Sequence, residues 1–155
     1  MKNFKTYGKI IFDPQNHTNK HEKQSSWKKH AIIMIDDESC EYYQWFLKKI
    51  YNVHLLPPLR KSHVTVVNDR YDDIDLWNLV KDKYNNKIID LYIDVDMQSN
   101  GKHWFLNVSN EHTEELDKIR NELNLGEPFY YYHMTVGFPN ERNLEHSQYI
   151  ASLIK

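Results

Sequence analysis

Cysteine, glycine and one-signed charge are all scarce in this chain of 155 residues. The single Cys40 excludes an internal disulfide and any zinc cluster built on several thiolates. Close to Tyr43 and Phe46 on an expected helix, it reads as a small buried residue rather than a nucleophile. No stretch approaches the roughly 20 apolar residues of a membrane span. The opening Met1-Lys2-Asn3-Phe4-Lys5 lacks an apolar signal core, so a cytoplasmic location without membrane attachment is expected. Lys and Arg number 20 against 22 Asp and Glu, a net charge of −2. That balance lacks the basic surplus with which proteins grip long nucleic acids. A small phosphate-bearing ligand, needing few cations, is still allowed. Apolar residues make up 40% and aromatics 14%, with eleven Tyr and four Trp, which argues against disorder. One domain spanning residues 1–155 is the simplest organisation.

Against this background two tetrapeptides stand out, His63-Val64-Thr65-Val66 and His133-Met134-Thr135-Val136. Nine His, five Thr and eight Val predict about 0.015 copies of His-x-Thr-Val by chance. One copy has Met at its second position, and both sit in aromatic and β-branched runs that favour strands. Strand side chains alternate faces, so His63 and Thr65 share one, as do His133 and Thr135. By the same alternation Lys61 joins the first pair as a candidate phosphate contact. Tyr131 joins the second as a candidate surface for stacking on a base. Tyr130 and Tyr132 are expected on the opposite, core face.

The rest of the chain alternates strands and helices. Gly8–Phe12 reads as a short strand closed by Asp13-Pro14, and His30–Ile35 as a central one. Between them, Gln15–Lys29 is polar and irregular. It is either a solvated loop or a cation-rich cover for an anionic ligand, with Trp27 as a third candidate contact. His17 and His21 lie four apart there without a helical stripe, so no metal site is expected. Asp36 and Asp37 open a helix from about Glu38 to Tyr51, with Cys40, Tyr43, Phe46, Leu47 and Ile50 on its apolar face. Arg60–Val67 is the first His-x-Thr strand. Asp72 is placed to cap a helix over about Asp73–Tyr84, with Trp77, Val80 and Tyr84 inward. Lys87–Met97 and Lys102–Val108 read as strands around an Asn100-Gly101 hairpin signal. Thr113 opens a helix buried through Leu116, Ile119 and Leu123, with Gly126 as its left-handed terminator. Tyr130–Phe138 is the second His-x-Thr strand, and a last helix covers about Glu141–Ile154.

Within this order a module repeats. His30–Ile35, its helix and the His63 strand form one strand–helix–strand unit, and Lys102–Val108, its helix and the His133 strand form another. The expected fold is therefore α+β, with two pseudo-symmetric lobes around a central cleft that both His-Thr pairs share. Two imidazoles suit phosphodiester cleavage, because an unperturbed pKa of about 6.5 lets one act as base and the other as acid. Threonine hydroxyls can donate to the non-bridging oxygens where charge builds. Neither a metal nor another cofactor is required by that scheme.

Paired His-x-Thr-apolar motifs on the strands of a duplicated module resemble the 2H phosphoesterase superfamily. Its members cleave cyclic phosphodiesters and 2′–5′ or 2′,3′-cyclic phosphate linkages, generally without metal. Gly8-Lys9-Ile10-Ile11-Phe12-Asp13-Pro14, Thr18-Asn19-Lys20-His21, Trp27-Lys28-Lys29 and Tyr42-Tyr43-Gln44-Trp45-Phe46-Leu47-Lys48-Lys49 look more narrowly like the bacteriophage anti-CBASS nuclease group. That likeness implies hydrolysis of 3′–5′ bonds in cyclic di- and trinucleotides such as 3′,3′-cyclic GMP–AMP, in the cytoplasm of an infected bacterium. It implies His63, Thr65, His133 and Thr135 as the catalytic set. Lys61, Tyr131 and Trp27 rest on the physical argument alone. Two other readings stay open: a superfamily enzyme acting on RNA ends or 2′–5′ linkages, and a non-catalytic protein that sequesters the nucleotide.

Overall fold

Alternation of buried and exposed side chains along the strands decides the architecture. The computed structural model describes residues 2–14, 29–58 and 60–154. Eight strands form one antiparallel sheet: β1 (Asn3–Phe12), β2 (Ala31–Met34), β3 (Leu55–Leu56), β4 (His63–Val67), β5 (Ile88–Asp94), β6 (Gln98–Ser99), β7 (Trp104–Asn107) and β8 (His133–Pro139). The order is β5-β1-β2-β4-β8-β7-β6, with β3 on β8. The sheet curls into a half-barrel. Its margins meet through a bridge between Ile93 and Val108, reinforced where the Ser109 amide donates to the Tyr92 carbonyl.

Four helices cover one face. These are α1 (Glu38–Tyr51), α2 (Ile74–Tyr84), α3 (Glu114–Glu122) and α4 (Leu144–Leu153), the last entered through a 3-10 turn at Glu141–Asn143. Cys40 and Leu47 of α1, Trp77 and Val80 of α2, Leu116 and Ile119 of α3 and Ile150 of α4 join one cluster with Ile10, Ile33, Val64, Val66, Leu91, Leu106, Met134 and Val136. Burying each such Leu, Ile or Val contributes about 1.5–3 kcal/mol. Val64 and Val66 of β4 and Met134 and Val136 of β8 thus face the helices. His63, Thr65, His133 and Thr135 alternate with them and face the hollow of the sheet. Among the described residues no helix is long and apolar enough to cross a membrane.

Several local expectations are corrected. β1 starts at Asn3 rather than Gly8 because its polar-alternating first half pairs with β5, Lys5 lying opposite Tyr92. Asn100-Gly101 joins β7 to the short β6, while β5 pairs along β1. Asp73, not Asp72, caps α2 by accepting from the Leu76 amide. Asn124 (φ 59°), not Gly126, takes the left-handed conformation after α3, a region Asn tolerates. Ile50 is exposed on α1, and Tyr130 is exposed rather than core. Strand β8 begins only at His133, so alternation does not reach back to Tyr130.

Candidate active site

Strands β4 and β8 are neighbours at the middle of the sheet, paired where Val64 faces Met134. In an antiparallel pair that register sets His63 across from Thr135, and Thr65 across from His133. The two histidines are then diagonal neighbours, about 7–8 Å apart with their Cβ atoms somewhat closer. That span admits one phosphate between the rings. All four side chains are half-buried on the sheet's inner face, whereas Val64, Val66, Met134 and Val136 beneath them are fully buried.

Both strands hold their imidazole alike. Nδ1 of His63 lies 2.6 Å from the Lys61 carbonyl oxygen, and Nδ1 of His133 lies 2.6 Å from that of Tyr131. A carbonyl only accepts, so each Nδ1 carries the hydrogen and donates it. The exchangeable proton of each ring is then on Nε2. The segment leading into β4 is further fixed by Asp37, whose Oδ1 accepts from the amide and hydroxyl of Ser62 at 2.9 and 2.8 Å. Asp37 therefore orients β4 rather than capping α1 with its side chain.

The surroundings of His63 disfavour its charged form. Burial pulls the His63 pKa below the usual imidazole value, and the positive charges of Arg60, His133 and His30 push it the same way; only the bond to Lys61 opposes this. His63 is therefore the ring biased toward neutrality. Phe105 of β7 lies across from Thr135 and meets the His133 ring edge-to-face at 5.3 Å between centroids.

No family model, curated protein or solved structure matches this chain.

The lesser candidates fare unequally. Lys61 is exposed and precedes β4, and its backbone carbonyl is what it brings to His63. Tyr131 likewise holds His133 through its carbonyl. Its phenol donates to the Val108 oxygen at 2.8 Å, leaving the side chain 42% exposed. Trp27 lies outside the described residues, with His17 and His21. Arg60, Phe105 and Asn107 were missed by sequence reasoning. Arg60 is one residue from Lys61, while Phe105 and Asn107 occupy the alternating inner positions of β7. The cross-strand register that makes them neighbours of the motif has no local signature.

Cys40 is buried and its thiol is pushed up to about 11, chiefly by burial. Its Sγ lies 3.1 Å from the Val136 carbonyl oxygen. Among the described residues no group of three His, Cys, Asp or Glu side chains is arranged to hold a metal ion. A cavity of about 600 Å³ lined by Tyr42, Tyr43, Phe46, Tyr51 and Trp104 lies on the α1 side and includes none of the His-Thr set. It has aromatic surface but no acid–base pair.

Proposed function

We propose that this chain is a two-histidine phosphodiesterase of 2H type, built as two pseudo-symmetric strand–helix–strand lobes. It hydrolyses 3′–5′ bonds of cyclic di- and trinucleotides such as 3′,3′-cyclic GMP–AMP without a metal, and thereby counteracts CBASS defence in an infected bacterium. The observation that carries this reading is the matched pair of imidazoles. Each donates Nδ1–H to the carbonyl two residues before it, from adjacent strands, with a threonine opposite each ring.

In this scheme His63 is the base, because its lowered pKa keeps Nε2 unprotonated near neutrality. It takes a proton from the attacking oxygen, which is water or the adjacent ribose 2′-hydroxyl. His133 takes the part of the acid, and its Nε2 faces the departing ribose oxygen to deliver the proton there. Thr65 and Thr135 donate hydrogen bonds to the two non-bridging oxygens. The substrate class follows from the resemblance of the motifs. Near-neutral charge with many aromatics supports it, since a cyclic dinucleotide asks for few cations and some stacking surface.

Incubation of the protein with 3′,3′-cyclic GMP–AMP in excess EDTA, resolved by chromatography, tests the proposal. Linear products are expected, and none from the doubly substituted His63→Ala, His133→Ala protein. Cleavage that needs a divalent metal, or that survives the double substitution, would sink it.

A further inference from the structure

Helical spacing gathers aromatic rings on one side of α1. Tyr42 and Phe46 are one turn apart, Tyr43 lies beside them, and Tyr51 follows just over two turns after Tyr43. Together with Trp104 of β7 they line the cavity of about 600 Å³. Trp104 alternates with Phe105 and is fully buried among the helix-side core. This cavity and the hollow that holds the His-Thr pairs are therefore on opposite faces of the sheet. Its volume is that of a small-molecule site.

The rings are held in place and face in different directions. The Tyr43 phenol donates to the Val95 carbonyl at 3.1 Å, and the Trp104 indole donates to the Ser147 hydroxyl at 2.9 Å. Tyr42 stands at 86° to Tyr43 with centroids 5.3 Å apart, and Phe46 stands at 69° to Tyr51 at 6.0 Å. Tyr42 and Phe46 are closer to parallel, at 28°. An aromatic face is the negative side of its ring and attracts a cation. Rings already fixed at several angles can surround one with little further ordering.

The lining adds one charge of its own. Asp96, in the turn after β5, is the only acidic or basic side chain among the described residues around the cavity. It is exposed, and none of the ion pairs among the described residues uses it. The Tyr43 pKa is raised, by burial first and then by Tyr42 and Asp96, so the carboxylate is near enough to act on that ring. Ring faces and a carboxylate together repel phosphates and attract an ammonium group. A primary ammonium is strongly hydrated. A fully methylated one carries its charge on apolar surface, which packs against rings at a smaller desolvation cost.

We propose that this cavity binds a small soluble quaternary ammonium compound of the choline type, its methyl groups against Tyr42, Tyr43, Phe46 and Tyr51 and its charge balanced by Asp96. The site stands apart from the phosphodiesterase reading and needs neither His63 nor His133.

Isothermal titration of the intact protein with choline and with 3,3-dimethylbutan-1-ol, its uncharged isostere, tests this. Choline is expected to bind about tenfold or more tighter than the alcohol. Asp96→Asn should weaken choline about two- to fivefold and leave the alcohol within about twofold. Tyr42→Leu keeps apolar bulk but removes a ring face, and should weaken choline by a similar factor. Both side chains are exposed, so both variants should melt close to the parent. The doubly substituted His63→Ala, His133→Ala protein should bind choline as the parent does. The proposal is overturned if choline fails to bind at millimolar concentration or binds no better than the alcohol, results that need no variant to fold. It is equally overturned if neither Asp96→Asn nor Tyr42→Leu weakens choline. Sedimentation of the protein with phosphatidylcholine vesicles, without binding of free choline, would replace the small-molecule site with a membrane surface and overturn it too.

Discussion

Arg120 of α3 grips Asp69 with two hydrogen bonds, at 2.8 and 3.1 Å, while the same guanidinium donates to the Val66 carbonyl at 2.9 Å. Its Nε also reaches the Gly126 carbonyl. Arg120 is almost fully buried, so the clamp holds the end of β4 immediately after Thr65. Arg120→Met keeps the bulk but strands Asp69 and the carbonyls of Val66, Gly126 and Glu127. A loss of about 2–4 kcal/mol is expected, measurable as a lower urea midpoint. Activity below the new midpoint should fall less than it does for any His-Thr substitution, because Arg120 touches none of those four side chains.

On the proposed mechanism the threonines act in catalysis rather than in binding. Thr65→Val and Thr135→Val preserve shape and strand preference but remove the hydroxyl. Each should lower kcat by about 10²–10³-fold with KM changed far less. Both are half-buried on the inner face over a packed apolar layer, so melting temperatures should stay close to that of the parent. A pure KM effect from either would mean that its hydroxyl only binds ground-state phosphate.

Much of this arrangement was legible in the chain because it depends on local pattern. Helix α1 was read at the bounds it adopts, since Asp36, Asp37 and the proline pair after it mark both ends. The inward faces of α2 and α3 followed from apolar spacing, and the shared face of each His-Thr pair from strand alternation. What escaped depends on contacts distant in sequence. That β4 and β8 are neighbours is set by how the sheet winds, and no residue near either motif signals it. The inner-face positions of Phe105 and Asn107 needed the register of β7. The Arg120 clamp has no local signature, because its partners, Val66 and Asp69, lie more than fifty residues away in sequence.

Cys40 gives a control for the chemistry. Its thiol is buried, faces the Val136 carbonyl and has its pKa pushed up to about 11, so little thiolate exists near neutrality. Iodoacetamide should label the native protein slowly and the urea-unfolded protein fast. Under the proposed reading Cys40→Ala should leave turnover of cyclic GMP–AMP within about twofold, and it should reduce stability by about 1 kcal/mol. Loss of most activity in that variant would put a covalent cysteine step back in play.

The pH dependence of kcat/KM should reveal which imidazole is the base. Only neutral His63 accepts a proton, so activity should rise as pH climbs through its pKa. Burial and the Arg60, His133 and His30 charges lower that pKa; the acidic limb is therefore expected below the ordinary value of about 6.5. Arg60→Gln removes one of those charges. It should let the His63 pKa rise and carry the limb to higher pH by a fraction of a unit. A limb that stays in place, or moves down, would count against His63 as base. Stability supplies a second readout with its own sign. A group whose folded pKa is depressed contributes stability above its unfolded value that is lost as pH falls through the folded one. The parent protein should therefore lose more unfolding free energy between pH 8 and pH 5 than His63→Gln does, and equal losses would mean that the fold does not disfavour the charged ring.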